Sequence, residues 1–161
     1  MDKLWAPWRM KYVTGLSKKK KCVFCIKASA AADRKNFVIK RCGLAFSILN
    51  IYPYNNGHIM IAPRRHVGRI EDLTAEEMSE MMRLLIDTKK LLDRRLGPHG
   101  YNIGINLGRP SGAGIDKHIH MHIVPRWIGD SNFMPAISGA KVISDSLDSL
   151  YRRLKKRKKP G

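Results

Sequence analysis

Acidic side chains are in short supply: thirteen Asp and Glu stand against thirty-one Lys and Arg in 161 residues, a formal net charge of +18. Such a chain attracts polyanions at low salt, which keeps nucleotides, nucleic acid and acidic surfaces open as partners. Long apolar runs are missing as well. The longest, such as Ile59 to Ala62, have the length of a strand, and Met1-Asp-Lys-Leu-Trp5 lacks the apolar stretch of a secretory signal. No membrane span is expected, and the expected location is the cytoplasm. Cysteine is scarce too: three residues do not make a disulfide framework, and Cys22-Val-Phe-Cys25 has a spacing that suits a metal clip or a redox pair. Repeats of roughly 20 to 50 residues are absent, which argues against solenoids and propellers.

What is present fits one mixed domain over residues 1–161, with a core at about 22–134 and a basic C-terminal helix and tail at about 144–161. Basic blocks at Lys18 to Lys21 and Arg152 to Lys159 flank a more balanced middle. Leu44 to Leu49 reads as a strand, Pro53-Tyr-Asn-Asn-Gly57 as a turn and His58 to Ala62 as the returning strand. Thr74-Ala-Glu-Glu77 fits a capping box. Met78, Met81, Met82, Leu85, Leu91 and Leu92 follow at helical spacing until Gly97-Pro98, which assigns the methionines to the core. Tyr101 to Asn106 and His118 to Val124 read as two more strands, joined by a loop from Leu107 to Gly114 that holds three glycines. A last helix begins near Ser144, acidic in its first turn and basic in its last. The order ββαββα predicts an α+β fold.

Histidine is concentrated where chemistry is easiest to build. Five of the six, His58, His66, His118, His120 and His122, fall on or beside predicted strands. Residues two apart on a strand share a face at a spacing of roughly 6.5–7 Å, so His118, His120 and His122 form a row while Ile119, Met121 and Ile123 turn to the core. The row has to face a cleft, a metal or solvent. Three imidazoles could ligate zinc. A phosphate at neutral pH repels anionic nucleophiles, whereas a neutral imidazole is a competent nucleophile toward its phosphorus. The loop ahead of the row adds donors for developing phosphate charge: backbone N–H groups around Gly112 and Gly114, the Ser111 hydroxyl and the Asn106 amide. Trp127, just after the row, fits stacking on a base, a place against a partner subunit or a plain core position.

His118-Ile-His120-Met-His122-Ile-Val resembles the motif of the histidine triad family. Asn50 with His58 eight residues on, Gly57-His58-Ile-Met-Ile, the glycine-rich loop and Pro125-Arg126 sit where that family carries their counterparts. Trp5-Ala-Pro-Trp8-Arg9 and Pro125-Arg-Trp127-Ile-Gly-Asp130-Ser-Asn132-Phe-Met134 look most like its diadenosine tetraphosphate phosphorylase and hydrolase branch. The resemblance implies an antiparallel sheet with one long helix, continued across a homodimer, and an enzyme acting on a dinucleoside polyphosphate. It implies attack by His120 on the α-phosphorus, a nucleotidyl-histidine, and its transfer to water or inorganic phosphate. It gives His58 a supporting role, His122 a hydrogen bond to the transferring phosphate, and Asn50 the ribose hydroxyls. Asn106 stands where related hydrolases carry Gln, a shorter amide at a phosphate contact. Cys22, Cys25, His66 and His118 match a zinc pattern of the family, in which the metal braces the fold. Two alternatives stay open: a nucleoside phosphoramidase of the same family, and a nucleic-acid-associated nucleotide-binding protein that uses the basic tail.

Overall fold

The computed structural model describes residues 22–130, 143 and 145–156. In chain order the elements are α1 (Val23–Ser29), α2 (Asp33–Asn36), β1 (Val38–Arg41), β2 (Ala45–Leu49), β3 (Ile59–Pro63), α3 (Ala75–Leu96), β4 (Gly100–Ile105), β5 (Met121–Arg126) and α4 (Leu147–Lys155), with short 3₁₀ turns at Ile70–Asp72 and Arg109–Ser111. All strand pairs are antiparallel, in the order β1-β2-β3-β5-β4. The fold is α+β. Three elements, α1, α2 and β1, have no counterpart in the order expected from the sequence. Each is at most seven residues long, and Phe37 in left-handed backbone is all that separates α2 from β1.

The two faces of the sheet are covered differently. Leu49, Ile59, Ile61 and Ile123 pack against Met81, Leu84, Leu85 and Leu92 of α3 and against Leu150, Tyr151 and Leu154 of α4. Phe46, Ile48 and Ala62 point the other way, onto Phe24 and Ala28 of α1. α3 begins as its sequence dictates. The Thr74 hydroxyl accepts from Glu77 N, and the Glu77 carboxylate accepts from Thr74 N, a reciprocal cap of about 1 kcal/mol. Glu77 also takes a two-point bond from Arg65 at 2.9 and 2.7 Å, which holds its carboxyl below the ordinary range and ties the cap to the segment after β3. Gly97, in left-handed backbone at φ +57°, ends the helix.

The methionines divide. Met81 is buried, whereas Met78, Met82 and Ile86 are 48%, 49% and 47% exposed and form a second apolar stripe, at i, i+4, i+8, on the outer side of α3. Assigning every one of them to the core is therefore wrong for Met78 and Met82.

β5 starts three residues later than the sequence suggests. In the β3 register, Ile61 pairs with Met121, and two steps further the partner would be Pro63, which has no N–H to offer. The ladder stops there. Ile119 N instead donates to Val67 O at 2.7 Å, so this stretch is tethered without being laddered.

Candidate active site

All three histidines of the row, with His58, lie on the α1 face of the sheet and are covered rather than open. His58 and His118 are fully buried, and His120 keeps 5% exposure. Two aromatic rings form the cover. Phe24, between the two cysteines, has its ring centroid 5.1 Å from His118 and 4.8 Å from His120. Tyr54 stands over His58 at 4.7 Å and His122 at 5.7 Å. Neither aromatic stood out in the sequence, although Phe24 sits inside the Cys-x-x-Cys and Tyr54 only four residues before His58.

The hydrogen bonds fix each ring's tautomer. Tyr54 N donates to His58 Nδ1 at 3.1 Å, with Asn50 Nδ2 beside it at 3.3 Å, so His58 Nδ1 is an acceptor and its Nε2 carries the proton. That Nε2–H donates to His122 Nδ1 at 2.8 Å. The proton of His122 therefore sits on its own Nε2, a buried atom with no hydrogen-bond partner among the described residues. His120 is set the opposite way. Its Nδ1–H donates to His118 O at 2.8 Å, which leaves Nε2 with a lone pair and no bond among the described residues. The two rings are 4.9 Å apart, centroid to centroid. An unprotonated nitrogen thus stands beside an unsatisfied N–H donor.

Burial keeps these rings neutral. Removal from water pushes His58 down to about 3 and His122 down to about 4, with the neighbouring rings adding repulsion. His120 is lowered by the same burial, against which the bond to His118 O pulls upward.

His118 belongs to a second cluster. Its Nε2–H donates to Pro63 O at 2.9 Å, so Nδ1 is free to ligate, and it lies 3.3 Å from Cys22 Sγ and 3.6 Å from Cys25 Sγ. His66 Nδ1 is 3.2 Å from Cys25 Sγ. The four donor atoms lie within 4.8 Å of one another. Tetrahedral zinc, with bonds of about 2.3 Å to sulfur and 2.0–2.1 Å to nitrogen, puts S and N roughly 3.6 Å apart, so the set fits such an ion. Burial and the adjacent Cys22 raise the Cys25 thiol above its ordinary value, as expected where two sulfurs converge without a compensating charge.

Other expected contacts are placed as follows. Asn50 Oδ1 accepts from Tyr52 N at 2.9 Å, so that amide holds the loop under Tyr54. Gly57, at φ +77°, lies where a Cβ would meet Leu96 at 2.7 Å and Pro125 at 3.0 Å, which lets this loop tuck beneath the end of β5. The Ser111 hydroxyl donates to Gly108 O at 2.7 Å and is spent within its own turn. Gly108 and Gly112 take positive φ there, and Gly114 is half-buried. Asn106 is half-buried with no side-chain hydrogen bond among the described residues. Trp127 is half-buried, and its backbone N–H donates to Asp130. Asp130 also binds Arg126 at 2.6 and 2.9 Å and Asn55 at 2.7 Å, locking the Pro125 to Asp130 turn to the loop that carries Tyr54. His99 accepts from Ile128 N, outside the cluster. Trp5, Trp8, Asn132 and Met134 lie outside the described residues.

The family model of the HIT domain matches residues 31–127. The AP-4-A phosphorylase of Mycobacterium tuberculosis is 36% identical over 161 residues, covering 96% of this chain and 83% of its own. The bis(5'-adenosyl)-triphosphatase of Dictyostelium discoideum is 26% identical over 117 residues, 73% of this chain and 69% of its own. Among solved structures, a Zn-bound histidine triad family protein from Mycobacterium smegmatis superposes with a TM-score of 0.68 at 26% identity, over 84% of this chain and 91% of that one. Taken with the tautomers of His58, His120 and His122, these matches make the chain a member of the histidine triad (HIT) family.

Proposed function

We propose that the protein is a dinucleoside polyphosphate phosphorylase working through a nucleotidyl-histidine at His120. The observation that carries this reading is the bond from His120 Nδ1–H to His118 O, which leaves Nε2 unprotonated and unbonded beside the His122 donor. In the first step the Nε2 lone pair attacks the α-phosphorus, the bond to the bridging oxygen breaks, and the polyphosphate end leaves with that electron pair. His122 Nε2–H donates to an oxygen of the phosphate in transfer, and the His58 bond keeps that proton in place. In the second step an acceptor oxygen attacks phosphorus from the far side and Nε2 leaves. Similarity to the Mycobacterium tuberculosis phosphorylase over almost the whole chain favours inorganic phosphate as that acceptor.

Cys22, Cys25, His66 and His118 would hold zinc, as a brace that fixes the His118 carbonyl and hence the His120 tautomer; a histidine triad neighbour is Zn-bound. Zinc bound there supplies structural support, and no step of the reaction passes through it. Asn106 and the Gly112 to Gly114 backbone would meet the phosphates, Asn50 the ribose and Trp127 the base. β4 is an edge strand with Ile103 half exposed, which supports a homodimer whose sheet runs on across that edge. No helix among the described residues is long and apolar enough to cross a membrane. Three free thiols suit a cytoplasmic setting.

The test is the product pair. Diadenosine tetraphosphate with inorganic phosphate should give ATP and ADP. ATP and AMP would make the enzyme a hydrolase, and no turnover of any dinucleotide would reject the reading.

A further inference from the structure

The rear of the sheet carries charge that the proposed reaction does not use. α4 buries Leu150, Tyr151 and Leu154 against α3 and β1 and ends in Arg152, Arg153 and Lys155. Two bonds fix where it ends: Lys155 Nζ donates to Ile39 O of β1 at 3.1 Å, and the Arg95 guanidinium donates to Lys156 O. From that pinned point the sequence continues as Lys156-Arg-Lys-Lys159. The end of α4 thus borders a groove of about 350 Å³ lined by Lys40 from β1, Lys90 and Arg94 from α3, and Lys155 from α4.

Asp87 is the one carboxylate among the residues lining that groove, and Lys40 already pairs with it at 2.7 Å. Lys90 and Arg94 are exposed and make no hydrogen bond or close ion pair among the described residues, although both act on the Asp87 charge and Arg94 also on that of Asp93. Arg83, also exposed, continues their stripe on α3, seven and eleven residues before them, roughly 10 and 16 Å along the axis. The cations thus form a track with an acid deficit. No aromatic side chain among the described residues lines the groove, which gives bases nothing there to stack on. The track lies on the face opposite His120 and at the β1 side of the sheet, away from the β4 edge, so it stays open while the histidine site is occupied.

We propose that this track binds nucleic acid through backbone phosphates without reading the bases. The occupant it fits is a chain of regularly repeated phosphates, because cations spread along a helix meet such a chain at several points at once.

The full-length protein is titrated against a labelled oligonucleotide, single-stranded and as a duplex, by fluorescence polarisation at a series of salt concentrations. With about four phosphates neutralised, log affinity should fall against log salt with a slope of roughly −2.8 for the single strand and roughly −3.6 for the duplex. The double variant Lys90→Glu, Arg94→Glu should bind at least about tenfold more weakly at moderate salt and with a shallower slope, while its dinucleotide turnover and melting temperature match the parent. Lys90→Gln, Arg94→Gln should fall between the two, which excludes an effect of the introduced acids alone. Displacement of the oligonucleotide by inorganic polyphosphate supports recognition of phosphate itself. Parental binding by both double variants overturns the proposal. So does loss of binding only when residues 157–161 are removed, or binding to polyphosphate or acidic phospholipid vesicles with none to oligonucleotides.

Discussion

The Phe24 ring lies 4.8 Å from the His120 ring, tilted by 40°, and also covers His118 at 5.1 Å. A residue enclosed by Cys22 and Cys25 thus roofs the proposed nucleophile and a proposed zinc ligand together. Phe24→Ala should cost about 3–5 kcal/mol of stability through the cavity it opens. Phe24→Leu, which keeps the bulk, isolates positioning. It should retain one zinc per chain and near-normal KM while kcat falls about tenfold, checked by metal analysis and steady-state kinetics. An unchanged kcat would leave Phe24 a packing residue only.

His122 is expected to act through its unpartnered Nε2–H. His122→Ala should lower kcat by about 10²–10³-fold, the range for losing one donor to developing charge, with little change in the Kd of an unreactive substrate analogue. His58→Phe removes the ring that fixes the His122 tautomer and should lower kcat by a smaller factor. Equal loss of binding and kcat in both variants would place these rings in substrate binding instead.

The pH dependence of stability follows from burial of the same pair. His58 at about 3 and His122 at about 4 lie below the ordinary histidine value, so between pH 4 and 6.5 the unfolded chain binds more protons than the folded one. The neutral rings' contribution is complete above pH 6.5 and is lost as pH falls toward 4, by up to about 1.4 kcal/mol per pH unit for each ring. Thermal melts from pH 7.5 to 5 should show a falling Tm. The double variant His58→Phe, His122→Phe should show a shallower fall over the same range, and parallel curves would contradict the assignment.

The proposed zinc brace should be removable with a defined cost. Cys25→Ser is expected to reduce zinc content well below one per chain and to lower both Tm and turnover, whereas Cys42→Ser, outside the cluster, should keep all three at parental values. Metal analysis with calorimetry decides the matter: full activity in metal-free Cys25→Ser protein would separate the brace from His120.

Much of this was legible in the chain. Thr74 and Glu77 announced the start of α3, Gly97 its end, and the alternation of His118, His120 and His122 with apolar residues put the histidines on one face. Other features were hidden for physical reasons. Helical periodicity marks apolar stripes but not which of two is inward, hence the exposed Met78 and Met82. β1 is four residues long with Lys40 and Arg41 in it, too short and too charged to show a strand pattern, yet it carries one wall of the basic groove. The tautomers rest on backbone atoms: Pro63 O, 55 residues from His118, and the carbonyl of His118 itself. Carbonyls leave no mark in a sequence, and the difference between the proposed ligand and the proposed nucleophile two residues on is set by them.

The most direct measurement is of the covalent step. Enzyme mixed rapidly with diadenosine tetraphosphate in the absence of inorganic phosphate, then quenched in alkali and digested, should yield one adenylylated peptide, the one containing His120. Its formation should be as fast as turnover, its label should pass to ADP when phosphate is added, and neither should occur in His120→Ala. An adduct on another residue, or turnover that persists in His120→Ala, would contradict nucleophilic attack by His120.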